Sequence, residues 1–328
     1  MSIARHHHVQ RANHSWPTSP AQNTAALYNK AGTDYIAYAD GNPEKLFAFE
    51  GLHGYADRQI WLVLLSKLIE LRASRAASLV LLDAGCGPGT WLRRIILCAH
   101  DLGFERIVAR GFDIAESQVA QARLLASDAA ALPGVHLTFE VADLTRPLPE
   151  MDGSVDITLC LYSVLSHIPP EGIPQVLREI ARVTYGHFVT AVRSVGSTPS
   201  AFTHSVESIR YLRQDHERNV CEIELHDGTR SMFPFHLFTE SELRGLFAPH
   251  FGIEEVRGLD LFHTRFANDP RWSPPGLQGD DSLANELAQL EAIYAAKSGF
   301  VDRAAHIMLV AQGPACRDVG GRQASTAI

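Results

Sequence analysis

The sequence predicts an α/β fold, one mostly parallel sheet with helices packed on its faces. Three observations carry that expectation. Short apolar runs alternate with stretches of helical periodicity from residue 79 onward. The first run passes through alternating glycines straight into a helix start. The first three runs close on acids, at Asp83, at Asp113 and, just past Val141, at Asp143.

The first strand is read at Leu79 to Leu82, an apolar run of the kind buried on both faces of a parallel sheet. It ends at Asp83, and Gly85, Gly87 and Gly89 then alternate through a tight turn. Glycine tolerates positive φ and lets a ligand lie against bare backbone. Thr90 to Leu97 reads as the next helix, whose first N–H groups have no intrahelical acceptor and favour an anionic or polar ligand. Ile107 to Phe112 is the second strand. An acid at its end, roughly 20 to 30 residues past a glycine turn, can accept both hydroxyls of a ribose. Glu116 to Leu125 follows as a helix, and Val135 to Val141 as a third strand running into Ala142-Asp143-Leu144.

Val155 to Leu161 is the fourth strand, followed by Tyr162-Ser163-Val164-Leu165-Ser166-His167. A helix at Ile173 to Val183 leads to a fifth strand, His187 to Val192. Gly252 to Leu259 and Ala304 to Gln312 are the sixth and seventh. Two insertions interrupt this series, residues 194–238 and 260–303. In the first, Cys221 to Leu225 and Thr229 to Phe235 flank His226-Asp227-Gly228, a hairpin signal. The second holds Pro270, Pro274 and Pro275 and a helix near Ser282 to Lys297. Between them, Thr239-Glu240-Ser241-Glu242 has the capping-box pattern and opens a helix from Ser241 to Leu246.

Ahead of the first strand, residues 1–22 are rich in His, Asn, Ser and Pro and are expected to be a disordered tail. The run His6-His7-His8 invites a metal reading, but three histidines in a polar tail are more often unstructured. Residues 23–75 are expected to form a helical lid. They include Tyr28, Tyr35 and Tyr38 and an amphipathic stretch from Gln59 to Leu71. Tyr35 and Tyr38 either cover the site or simply pack these helices. Residues 76–313 then form the catalytic domain and 314–328 a flexible tail.

The composition bounds the function. A formal net charge of −8 disfavours a nucleic-acid partner, which demands a basic face. The pairs Arg93-Arg94 and Arg178 with Arg182 are read as solvated helix faces. The cysteines, Cys86, Cys98, Cys160, Cys221 and Cys316, include no C-x-x-C pair, so neither a zinc site nor a disulfide framework is expected. With no span-length apolar run and no visible signal peptide, the expectation is a soluble cytoplasmic protein.

The dinucleotide fingerprint is G-x-G-x-x-G, whereas this turn runs G-x-G-x-G and ends on Thr90. An acid at Asp83 would repel a pyrophosphate and suits a ligand carrying an ammonium or sulfonium group. With Asp83-Ala84-Gly85-Cys86-Gly87-Pro88-Gly89-Thr90 matching an acid-x-G-x-G-x-G loop, the chain resembles the class I S-adenosylmethionine-dependent methyltransferases. That resemblance implies a Rossmann-like seven-stranded sheet whose last strand is antiparallel, and S-adenosylmethionine as cofactor. It places cofactor contacts at Asp83, Gly85, Cys86, Gly87, Gly89, Thr90, Asp113, Ile114, Ala142, Asp143, Leu144 and Leu161, with Asp143 toward the adenine. It places no metal. The bland alternatives are a capping acid at Asp83, a strand-end acid at Asp113 and a turn residue at Asp143.

Methyl transfer is an in-line displacement governed mostly by alignment, and a neutral acceptor must also lose a proton. His167, His236 and His263 are the candidate bases or substrate contacts, with His204 beside them, against the default of structural histidines. Tyr162 is read the same way, as an acceptor contact or as packing. The leading function is methylation of a small molecule at O or N with release of S-adenosylhomocysteine. A nicotinamide-dependent oxidoreductase and a non-catalytic cofactor-binding regulator are the alternatives. The acceptor and the oligomeric state are not written in the sequence.

Overall fold

The structure is a computed structural model that describes residues 19–31, 45–49, 54–74, 76–197, 209–225, 228–263 and 282–314. Tyr35, Tyr38, His204, the three prolines and the His6-His7-His8 run lie outside them.

Seven strands form the main sheet: β1 (Ser78–Ala84), β2 (Arg106–Asp113), β3 (Val135–Val141), β4 (Val155–Cys160), β5 (Thr184–Arg193), β9 (Gly252–Leu259) and β10 (His306–Gln312). Their order is β3-β2-β1-β4-β5-β10-β9. β1 pairs in parallel with β2 and β4, and so do β2 with β3 and β4 with β5. β10 runs antiparallel to both neighbours, β5 and β9. Six strands therefore share one direction and β10 opposes them, which is the Rossmann-like arrangement expected. The order reverses between β1 and β4, and such a switch point leaves a crevice beyond the strand ends.

The strands are buried because apolar residues cover both faces. On one side pack α2 (Gly54–Ala73) and α3 (Thr90–Asp101), through Ile60, Leu64, Leu68, Leu92 and Ile95. On the other, α5 (Ile173–Val183) and α6 (Glu240–Phe247) bring Leu177, Ile180, Leu243 and Phe247. Burying each such side chain contributes roughly 1.5–3 kcal/mol. The N-cap half of the expected capping box forms, Thr239 Oγ1 accepting the Glu242 N–H at 3.1 Å, while the Glu242 carboxylate turns to His236.

A second sheet joins β6 (Ile209–Asp215), β7 (Val220–Leu225) and β8 (Arg230–Pro234), all antiparallel. The hairpin of β7 and β8 is the expected one. β6 is additional, and its alternation is broken by a register shift between Tyr211 and Arg213, which hides it from period-two reading. α1 (Pro20–Ala31) seats Leu27 in the core of this sheet, with Cys221, Ile223, Phe233 and Phe235. That helix begins at Pro20, within the stretch 1–22 expected to be a tail.

The Arg93-Arg94 pair is not a solvated face. Both side chains are buried, Arg93 against Asp128 at 2.7 Å and Arg94 against Asp57 at 3.0 Å. α3 is packed on three sides, so its basic positions meet acids rather than water. Arg182 is half-exposed, with Glu179 and Asp152. Among the described residues, no helix is long and apolar enough to cross a membrane.

Candidate active site

A cavity of about 460 Å³ opens beyond the carboxyl ends of the parallel strands, and its lining follows the order of the sheet. The end of β3 supplies Ala142, Asp143 and Leu144, and β2 supplies Asp113 and Ile114. β1 and its turn supply Asp83, Gly85, Cys86 and Gly87, with Thr90 opening α3. Leu161 and Tyr162 follow β4, Arg193 ends β5, and His306 begins β10. Tyr28 of α1 and Asp57 of α2 complete the wall.

The half under β1, β2 and β3 is acidic. Gly85, Gly87 and Gly89 all have positive φ, 79°, 51° and 79°, so the turn needs glycine. The Phe112 carbonyl accepts from Gly85 N–H at 2.8 Å and Cys86 N–H at 2.9 Å. The two Asp113 oxygens accept from Gly87 N–H at 3.0 Å and Ala115 N–H at 2.9 Å, which ties the turn to the head of α4 (Glu116–Leu125). A Cβ at Gly87 would meet nothing within 4 Å. At Gly89 it would lie 2.9 Å from the Phe139 ring and 3.0 Å from Ala122, and Gly89 does not line the cavity. What requires glycine at 89 is the close packing of the helix start against β3 and α4.

Asp83 is 1 % exposed, and its Oδ2 has no hydrogen-bond partner. Burial, and after it the charge of Asp113, pushes the Asp83 carboxyl up to about 7. Burial also raises Asp113, while its backbone N–H partners hold it down. Two neighbouring carboxyls, one with an orphaned oxygen, beside an open turn fit a ligand that carries positive charge. Asp143 Oδ1 accepts from the N–H of Thr145 at 2.9 Å and its hydroxyl at 2.7 Å, so it organises its own turn while lining the cavity.

The half under β4, β5 and β10 is a polar aromatic cluster. Tyr162 and Ser163 both have positive φ, 48° and 69°, and strain of this kind gathers at functional sites. The Tyr162 hydroxyl donates to Asp57 Oδ1. Arg94 donates to Asp57 Oδ2 at 3.0 Å and to the Leu46 carbonyl at 2.7 Å, and lies over the rings of Trp91 and Phe49. Arg193 reaches Ser163 Oγ and Ser197 Oγ, each at 3.2 Å. The His306 ring meets Tyr162 edge-on at 5.4 Å.

The three predicted histidines separate. His167 lines the cavity, but both ring nitrogens are engaged, Nε2 with Tyr28 Oη at 2.8 Å and Nδ1 with the Pro234 carbonyl at 3.1 Å. Burial lowers its pKa to about 4, so it stays neutral and links α1, the β4 loop and β8. His236 lies outside the cavity between Asn219 Oδ1 at 2.8 Å and Glu242 Oε1 at 2.7 Å. His263 also lies outside it, stacked on Tyr55 at 4.4 Å. Asp57, Arg94, Arg193 and His306 were not expected. Asp57 had a signal: it extends the buried stripe Ile60, Trp61, Leu64, Leu68 by one turn, and a carboxylate on an apolar face needs a partner.

A family model described as a methyltransferase domain matches residues 81–187. Among curated proteins, no sequence matches this one. The chain is similar in fold to magnesium protoporphyrin IX methyltransferase from Synechocystis PCC 6803, with S-adenosylhomocysteine bound. The TM-score is 0.51 at 15 % identity, over 90 % of this chain and 99 % of that one. It is also similar to the [4+2]-cyclase SpnF, with TM-score 0.50 at 19 % identity, over 91 % of this chain and 98 % of that one. The turn and the acids lie in the segment that matches a methyltransferase domain, and with its strand order the chain has the class I S-adenosylmethionine-dependent methyltransferase fold.

Proposed function

We propose that the protein is an S-adenosylmethionine-dependent methyltransferase acting on a small molecule at O or N, with S-adenosylhomocysteine as the other product. The observation that carries this reading is the orphaned Asp83 carboxylate beside Asp113, in a glycine-lined cavity at the switch point of the sheet. Asp83, Gly85, Cys86, Gly87 and Thr90 would face the methionine portion, Asp113 and Ile114 the ribose, and Ala142, Asp143 and Leu144 the adenine. When bound, the cofactor supplies an electrophilic methyl group. The chain's own residues orient it, exclude water and neutralise its charge.

The acceptor would lie against Tyr162, Arg193 and His306, in the half of the cavity under β4, β5 and β10. Residues 23–75 would serve as the lid, with Tyr28 touching the cavity wall, and 76–313 as the catalytic domain. The net charge of −8 supports a small-molecule acceptor over a nucleic acid, and five scattered cysteines with no C-x-x-C pair accord with a cytoplasmic setting. The acid at Asp83 weighs against a nicotinamide dinucleotide, whose pyrophosphate it would repel.

Calorimetry with S-adenosylmethionine tests the reading. The unaltered protein should bind it, and Asp113→Ala should weaken binding about 100-fold, because roughly 3 kcal/mol of charge-assisted hydrogen bonding is lost. No binding by the unaltered protein would sink the assignment. Binding without methyl transfer to any acceptor would instead favour a cradle used without methylation, as the fold shared with a [4+2]-cyclase allows.

A further inference from the structure

The polar half of the cavity holds a buried carboxylate wired to a cavity-lining phenol, an arrangement that binding a methyl donor does not require. Asp57 is one helix turn into α2, ahead of the methyltransferase segment, and Tyr162 follows β4. The Tyr162 hydroxyl donates to Asp57 Oδ1, and Arg94 holds Asp57 Oδ2 at 3.0 Å. The strained backbone at Tyr162 and Ser163 aims the phenol into the cavity instead of continuing the strand. Only a constraint from the surroundings keeps two successive L-residues in that region.

We propose that Tyr162 and Asp57 form a relay that takes the proton of the methyl acceptor, and that the acceptor is a neutral hydroxyl or amine rather than a carboxylate. This rests on the methyltransferase reading and names the acceptor chemistry of that same site. A phenol oxygen that donates its own hydrogen also carries acceptor lone pairs. As the acceptor's O or N lone pair forms the bond to methyl carbon, the carbon–sulfur bond breaks and its electron pair stays on sulfur. The acceptor's proton passes to the Tyr162 oxygen while the Tyr162 proton passes to Asp57, which ends as a neutral carboxyl. One positive charge leaves sulfur and one negative charge leaves Asp57, so the balance closes. Tyr162 is the catalytic residue, and Asp57 is a positioning residue that acts through it. Arg94 from α3, Arg193 from β5, His306 from β10 and Asp260 beyond β9 are the other charged or titratable groups around the relay.

The experiment compares the full-length protein with Tyr162→Phe, which keeps the ring, and Asp57→Asn. The probes are S-adenosylmethionine labelled in the methyl group and a panel of phenols, aliphatic alcohols, amines and carboxylic acids. Labelled product is expected from neutral O–H or N–H compounds. Label only in carboxylic acids, or in none, overturns the proposal. Each variant should lose about 100-fold in kcat near pH 7, within the range for a positioned proton acceptor, with cofactor Kd changed less than twofold. With a phenol as acceptor, the loss should shrink as pH approaches the phenol's own pKa, where it ionises unaided. An unchanged kcat, or with a phenol a loss equal at every pH, overturns it.

A second readout needs no turnover. The unloaded protein should show a hydrogen-bonded hydroxyl proton downfield of the amide region in its NMR spectrum, lost in both variants, and its absence from the unaltered protein overturns the relay. Absent cofactor binding marks failure of the methyltransferase reading. Binding and turnover without these variant effects mark failure of the relay alone.

Discussion

Replacing Asp83 with asparagine should stabilise the unliganded protein while weakening its hold on a cationic ligand. The Asp83 carboxyl is 1 % exposed, carries an orphaned oxygen, and is pushed from 3.8 to about 7 by burial and by Asp113. In the unfolded chain it ionises near its ordinary value. Between about pH 4 and pH 7 the folded protein therefore binds a proton that the unfolded chain does not, and stability falls as pH rises. At about 1.4 kcal/mol per tenfold, a shift of this size corresponds to roughly 4 kcal/mol lost above pH 7. Water that enters the cavity reduces the effect, so about 2 to 4 kcal/mol is expected. Asparagine keeps the shape and removes the charge.

Urea unfolding at pH 5 and pH 8.5, without cofactor, is the assay. Asp83→Asn should exceed the parent by about 2 to 4 kcal/mol at pH 8.5, and by much less at pH 5. Calorimetry should show the variant binding S-adenosylmethionine at least tenfold more weakly. A difference in stability that does not depend on pH, or a less stable variant at pH 8.5, would refute the reasoning.

Two further outcomes follow from the turn and from His167. Gly87→Ala should cost the unliganded protein only the left-handed backbone penalty, about 1 to 2 kcal/mol, since its methyl meets open space, yet it should abolish cofactor binding. Gly89→Ala adds a clash with the Phe139 ring and should lower Tm further, as thermal melts of both variants would show. Because burial holds the His167 pKa near 4 against an ordinary 6.5, stability should fall by roughly 3 kcal/mol as pH drops from 6.5 to 4. His167→Gln should flatten that limb in acid unfolding curves, and an unaltered slope would show that another group causes it.

The sheet was legible because its strands are apolar or alternating runs, the first three of which close on acids: β3 and β9 match their expected spans, and β1, β2, β4, β5 and β10 differ only at their ends. β6 was not legible, since a bulge interrupts its alternation. The acidic half of the cavity was legible because its residues are contiguous in sequence and obey one spacing. In the polar half only Tyr162 was legible, because Asp57, Arg94, Arg193 and His306 join it only through the topology. Histidine chemistry pointed to His167, His236 and His263, yet each is held by neighbours that sequence spacing does not show. Charge alone gave the solvated reading of Arg93-Arg94, whereas Leu92, Ile95 and Ile96 leave α3 no fully wet side.

The two halves of the cavity differ in how far along the chain their parts lie. The acidic half is built between Asp83 and Thr145 by hydrogen bonds that span a few dozen residues at most. The polar half joins α2 to β10, so its closure waits on contacts across most of the chain, and long loops close late. During folding, a place for the cofactor would form before any place for its acceptor.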